Sequence, residues 1–119
     1  MTNDPHQPRV GFIGAGRMAT ALATGMVKSE FTTVDRVIAS DVSIEACDRF
    51  AADTGCRTAG SNTHVLAEAD IVVLAVKPQY IQIVLQDIKG HVNSDHIIVS
   101  IAAGVSVAAI TATVGPGGR

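Results

Sequence analysis

The feature that most constrains the fold is an abrupt change of rhythm near the start of the chain. Arg9 to Gly14 reads as a first strand about the apolar run Val10-Gly11-Phe12-Ile13, and Gly16 to Lys28 as a helix carrying Ala, Met and Leu at helical spacing. A strand and a helix meet this closely only through a tight turn, and glycine supplies the backbone freedom such a turn needs. The alternation then repeats. Arg36 to Ser40 (RVIAS) reads as a second strand, and SIEACDRFAADTG as a helix with Ser43 at its N-cap and Gly55 just past its end. Arg57 to Ala59 reads as a short third strand, followed by one or two helical turns through NTHVLAEA, and Asp70 to Val76 (DIVVLAV) is continuous in β-branched residues, as a strand covered on both faces should be. Pro78 suits the first turn of a helix running to Lys89; HIIVSIAA is a fifth strand and SVAAITATV a last helix before GPGGR.

Strands alternating with helices in this way build right-handed βαβ units. The expected fold is therefore α/β: a Rossmann-type, doubly wound parallel sheet with strand order 3-2-1-4-5. The composition agrees, because 47% apolar but only 3% aromatic residues describe a core of Val, Ile, Ala and Leu. At 119 residues the chain makes one domain that buries roughly two-thirds of its unfolded surface. Residues 1–8 read as a disordered leader and 9–119 as the domain.

A net charge of −2 gives no long-range attraction for nucleic acid or an anionic membrane, so neither is expected as a partner. The apolar runs at Ile71–Val76 and Ile97–Ile110 stop short of the ~20 residues that span a bilayer. MTNDPHQPR lacks the apolar centre of a secretion signal, and a soluble, cytoplasmic protein is expected. Cys47 and Cys56 lack CxxC spacing and fit small buried hydrophobes in a reducing compartment. No Ser-His-Asp arrangement, paired carboxylates in one motif or metal-ligand cluster stands out. His64, His91 and His96 fall on a short helix and a loop, where solvated rings are expected, and His6 lies in the leader.

Gly14-Ala15-Gly16-Arg17-Met18-Ala19 has the spacing G-x-G-x-x-A at the strand-to-helix junction. Gly14 permits the turn, Gly16 lets a pyrophosphate approach the backbone, and Ala19 lets helix and strand pack closely. The helix N-terminus then offers unpaired N–H groups and partial positive charge to phosphates. Asp41, 25 residues after Gly16, stands near the usual ~20-residue offset of an acid that binds the adenosine ribose. Such a carboxylate favours NADH over NADPH, whereas the plainer alternative is that Asp41 caps the turn into the next helix. Arg17 either reaches a phosphate or is a solvated helix-start arginine. VKPQ (76–79) and SIAAG (100–104) end strands on the edge where open parallel sheets bind ligands, although surface lysine and close-packed turn are the plainer readings.

Together, VGFIGAGRMATAL, SNTHVLAEADIVVLAVKPQ and HIIVSIAAGVS resemble, in order and spacing, the N-terminal domain of the pyrroline-5-carboxylate reductase family over residues 9–114. That family forms proline by hydride transfer from NADH or NADPH to a cyclic imine. The resemblance implies a pyrophosphate site at Ile13, Gly14, Ala15, Gly16, Arg17 and Met18. It places Ser40 and Asp41 at the adenosine ribose, with Asn62 beside the adenosine half. Ala75, Val76, Lys77 and Pro78 would run along the cofactor, and Ile101, Ala102 and Ala103 near the nicotinamide. Lys77 in this reading positions cofactor and is no catalytic base. Two departures bear on cofactor choice: Arg17 stands where the family often has Asn or Gln, and Asp41 where NADPH-preferring members commonly carry a small hydroxyl residue.

Family members continue into a helical domain that forms the dimer and binds substrate, and the 119 residues stop before it. The resemblance thus implies a truncated or split cofactor half, binding the nucleotide with little turnover and little self-association, whose missing domain or a partner chain completes it. Two alternatives stand beside it: a free-standing dinucleotide-binding or regulatory module, and the cofactor domain of another NAD(P)- or deazaflavin-dependent oxidoreductase.

Overall fold

The computed structural model describes residues 7–101. Residues 1–6 of the expected leader, the expected last helix and two site candidates, Ala102 and Ala103, lie outside that range. Gln7 and Pro8, also read as leader, are held to the domain: Thr32 Oγ1 donates to the Pro8 carbonyl at 2.7 Å and Gln7 Nε2 to that of Glu30 at 3.2 Å.

Five parallel strands form one sheet: β1 (Val10–Ile13), β2 (Val37–Ser40), β3 (Arg57–Ala59), β4 (Ile71–Leu74) and β5 (Ile97–Ser100), in the order β3-β2-β1-β4-β5. This is the expected order. The sheet reverses direction of growth at β1, which pairs with β2 on one side and β4 on the other. Helices α1 (Arg17–Lys28) and α2 (Ile44–Thr54) cover one face, while α3 (Asn62–Glu68) and α4 (Ile81–Ile88) cover the other.

Strand alternation divides the core between those faces. Val10 and Phe12 of β1 pack with Ala19 and Ala23 of α1 and with Phe50 of α2, and the Phe12 and Phe50 rings lie 6.1 Å apart. Ile13 packs on the other face, with Val65 and Leu66 of α3 and the Ile81, Val84, Leu85 and Ile88 stripe of α4. Small residues set the closest approaches. A Cβ on Gly11 would stand 2.9 Å from Ala69 Cβ and closer still to Val65, so α3 can lie on β1 only because that position has no side chain.

The end signals of α2 act as read: Ser43 Oγ accepts from the Ala46 N–H at 3.1 Å, and Gly55 takes the left-handed conformation at φ 75°. Several ends shift by a residue, as where β1 runs from Val10 to Ile13 and α1 starts at Arg17, and three boundaries differ by more. The helix expected from Pro78 opens as a 3-10 turn, Pro78–Tyr80, in which the Tyr80 N–H reaches the Lys77 carbonyl at 2.9 Å, and only then becomes α4. The strand expected over DIVVLAV shortens to four residues. The fifth strand begins after His96 because that side chain turns into the core, being 5% exposed. His96 is therefore not the solvated ring its loop position suggested: Nε2–H donates to the Leu66 carbonyl at 2.9 Å and Nδ1 accepts from the Asn93 N–H at 3.0 Å. His64 and His91 are exposed as expected, and His64 pairs with Glu68 one turn on. No helix of the described residues is long and apolar enough to cross a membrane.

Candidate functional site

The carboxyl ends of β1, β2 and β4 converge where the sheet order reverses, the position at which a doubly wound fold leaves a crevice. The chain leaving β1 must turn sharply there to start α1. Gly14 makes that turn at φ 104°, a conformation L side chains rarely adopt, and an added Cβ would come 2.7 Å from the Ala75 carbonyl oxygen. Its N–H donates to the Ser40 carbonyl at 2.8 Å, tying the turn to β2.

Gly16 is a glycine of a different kind. It is the N-cap of α1 and contributes no side-chain hydrogen bond, and a Cβ there would meet no protein atom within 4 Å. Internal packing therefore does not require glycine at this position. Behind it no N-cap side chain satisfies the first-turn N–H groups of α1 and no acidic residue stands in that turn, which leaves the helix end electropositive. Arg17 and Met18 are exposed, and Ala19 is fully buried against the sheet as the third small residue of the motif.

Asp41 links two loops. Its Oδ2 accepts from the Ala15 N–H at 2.9 Å, and its Oδ1 accepts from the Ser43 N–H at 2.8 Å. The capping role weighed from sequence is thus present, and it extends to the glycine turn. A second relay crosses the crevice: Ser40 Oγ donates to Asn62 Oδ1 at 2.6 Å, and Asn62 Nδ2 donates to Asp87 Oδ2 at 3.0 Å. It joins β2, α3 and α4.

A cavity of about 600 Å³ lies beside these groups. Ile13, Gly14, Ser40, Asp41, Asn62, Ala75, Val76 and Lys77, all singled out in the sequence, line it. Ala15, Gly16, Arg17 and Met18 lie outside its lining, on the loop and helix start. Pro78 opens the 3-10 turn after Lys77. Ile101 is half-buried against the α1–α2 side of the core, its N–H donating to the Leu74 carbonyl at 3.2 Å. Val42, Tyr80, Ile83, Val84 and Asp87 line the cavity without having been named from sequence. The signal existed for four of them, because Tyr80, Ile83, Val84 and Asp87 follow i, i+3, i+4, i+7 spacing beside the core stripe of α4.

A smaller hollow of about 290 Å³ opens at the opposite, amino edge, beside Arg9, Asp70 and His96. There Arg9 Nη2 and Asp70 Oδ1 pair at 2.9 Å, which lowers the carboxyl pKa of Asp70 below its ordinary value and raises that of Arg9. Both thiols titrate above the ordinary cysteine value, chiefly through burial. Among the described residues no group of three His, Cys, Asp or Glu could hold a metal ion.

The chain is similar to pyrroline-5-carboxylate reductase 3 of Rattus norvegicus, with 40% identity over 111 residues covering 92% of this chain and 40% of that protein. Among solved structures, the pyrroline-5-carboxylate reductase of Coxiella burnetii superposes with a TM-score of 0.86 at 29% identity, over 95% of this chain and 42% of that one. That of Plasmodium falciparum, solved with NADP bound, gives 0.79 at 27% identity, over 93% and 39%. The chain spans about 40% of the length of the curated relatives it matches. Residues 9–104 match the family model described as NADP oxidoreductase, coenzyme F420-dependent, and the chain belongs to that family.

Proposed function

We propose that this chain is the cofactor-binding part of a pyrroline-5-carboxylate reductase-like oxidoreductase and holds NADH or NADPH along the carboxyl edge of its sheet. The observation that carries the reading is the pairing of Gly16 with the bare N-terminus of α1. The glycine leaves open space where any other residue would place a Cβ, beside first-turn N–H groups that no side chain caps, and this is the cradle a pyrophosphate needs. The relatives' identity supports the same reading, as does the NADP seen in one structural neighbour.

The nicotinamide supplies the hydride; this chain's residues bind and orient its carrier. Gly14, Ala15 and Gly16 shape the phosphate loop, with Arg17 and Met18 flanking it. Ser40, Asp41 and Asn62 take the adenosine half, Ala75 to Pro78 line the path of the cofactor, and Ile101 to Ala103 lie towards the nicotinamide. Lys77 is an exposed cation at the cavity, suited to holding an anionic cofactor. The domain is proposed to run over residues 9–119. A cytoplasmic setting fits its two free thiols, one of them buried.

Titration of the chain with NADH and NADPH, followed by nicotinamide fluorescence, tests the reading. Saturable binding in the micromolar range, weakened at least about tenfold by Gly16→Val, is expected. No saturation up to millimolar nucleotide sinks it. The family description names coenzyme F420, so a parallel titration with that deazaflavin tests the competing reading, and tighter binding of it would reassign the cavity.

A further inference from the structure

We propose that Asp87 of α4 is a positioning residue of the cavity: as a group that only accepts hydrogen bonds, it fixes which way the Asn62 amide and the Ser40 hydroxyl face. Asn62 then offers a nucleoside an N–H donor, and Ser40 an acceptor oxygen. The inference rests on the dinucleotide reading above, in which Asp87 has no part. Neither the motifs nor the family resemblance marked this residue.

Ser40 Oγ donates to Asn62 Oδ1 at 2.6 Å, Asn62 Nδ2 donates to Asp87 Oδ2 at 3.0 Å, and all three residues line the cavity of about 600 Å³. Ser40 does not set the direction of this relay, because a hydroxyl both donates and accepts. The terminal torsion of an asparagine is two-fold, so beside Ser40 alone the amide could turn over and donate from Nδ2 to Oγ instead. Asn62 does not set it either, since it carries a donor at one end and an acceptor at the other. Only the carboxylate has a single sense. Asp87 therefore draws Nδ2 to itself, turns Oδ1 towards Ser40 and leads the hydroxyl to spend its proton there.

The second Nδ2 hydrogen of Asn62 and the remaining lone pair of Ser40 Oγ are left for a ligand. A nucleoside matches both, with ring nitrogens and hydroxyl oxygens that accept and hydroxyls that donate. The relay is held firmly at its two ends. Ser40 is 2% exposed at the end of β2, and α4 is anchored by buried Ile81, Val84, Leu85 and Ile88 while Asp87 itself stays exposed. A carboxylate carried on a fixed helix orders the amide before the ligand arrives, which lowers the cost of binding. As a bare charge, Asp87 would only repel an anionic dinucleotide. The relay and simple charge thus predict opposite signs when that charge is removed.

Calorimetric titration of the full chain with NADH reads the sign. Asp87→Asn keeps the shape and hydrogen-bonding capacity of the side chain but can bond Asn62 in either sense. A halved competent population and the loss of a charge-assisted bond should weaken NADH at least about threefold. AMP, which carries the adenosine half alone, should weaken by a similar factor. In an Asn62→Ala background the same substitution should no longer weaken either ligand, because the coupling runs through that amide. Unchanged or tighter NADH in D87N, unchanged AMP, or equal weakening in the N62A background overturns the inference while leaving dinucleotide binding in place. Binding of neither NADH nor AMP by the unsubstituted chain removes the underlying reading and this inference with it. If D87N does not fold, Asp87→Ser, whose hydroxyl is too short to reach Asn62, is read by the same criteria.

Discussion

The two edges of one sheet carry polar groups of similar kind and use them in opposite ways. At the amino edge two prominent groups are turned onto the protein itself: His96 spends both ring nitrogens on Leu66 and Asn93, and Arg9 spends its guanidinium on Asp70, stitching β1 to β4. At the carboxyl edge the protein's internal bonds leave capacity over. Asp41 keeps acceptor positions, the first turn of α1 keeps its N–H groups, and Gly16 keeps open space. A hollow of about 290 Å³ at the first edge and one of about 600 Å³ at the second differ less in size than in this surplus. Unspent hydrogen-bonding capacity, arranged around a cleft, is what distinguishes a site from a seam.

The sharpest way to break that contrast lies within the glycine turn. Gly14→Val forces a side chain onto φ 104° and against the Ala75 carbonyl, and should cost at least about 3 kcal/mol in urea unfolding. His96→Ala should cost about 2 kcal/mol in the same measurement, since it strands the Leu66 carbonyl in the interior and removes the partner of the Asn93 N–H, yet it should leave nucleotide affinity within about twofold. A His96 variant that folds fully and loses binding would erase the distinction between the edges.

Gly16→Ala is the mirror of His96→Ala. Its Cβ meets no protein atom, so stability should change by less than about 1 kcal/mol while dinucleotide affinity falls several-fold in a fluorescence titration. The smallest effect is electrostatic. The Arg9 guanidinium lowers the pKa of Asp70, so the pair stabilises the fold above the ordinary carboxylate range and the contribution is lost as pH falls through the depressed value. Asp70 is 47% exposed, which limits the term to about 0.5 kcal/mol. Asp70→Asn should remove that amount at pH 7 and converge with the unsubstituted chain near pH 2, as thermal unfolding across the pH range would show.

Much of the carboxyl edge was legible beforehand because its signals are local. Glycine spacing, the Ser43 cap, Gly55 and the β-branched run of β4 each act within a few residues; of the cavity's lining, Gly14, Asp41, Val76 and Lys77 came from such cues, and Ile13, Ser40, Asn62 and Ala75 from the family resemblance. Asp41 shows where locality ends. Its offset from Gly16 marked it as either a ribose ligand or a cap, but its bond to Ala15 joins residues 26 apart, and only the pairing of β1 with β2 brings them together. The α4 residues were missed although their spacing was present, because which stripe of a helix meets a cleft depends on how the helix docks.

His96 failed for the same reason from the other direction. A histidine that follows the polar run Asn93-Ser94-Asp95 looks solvated until α3 places the Leu66 carbonyl beside it, 30 residues away in sequence. Read alone, the chain determines its alternating elements, their parallel order and the turn from β1 into α1, since backbone sterics, period and caps act over one or two turns. The tertiary structure decided which polar groups are consumed and which remain free. That depends on distances between residues far apart in sequence, which only the packed sheet and its helices set.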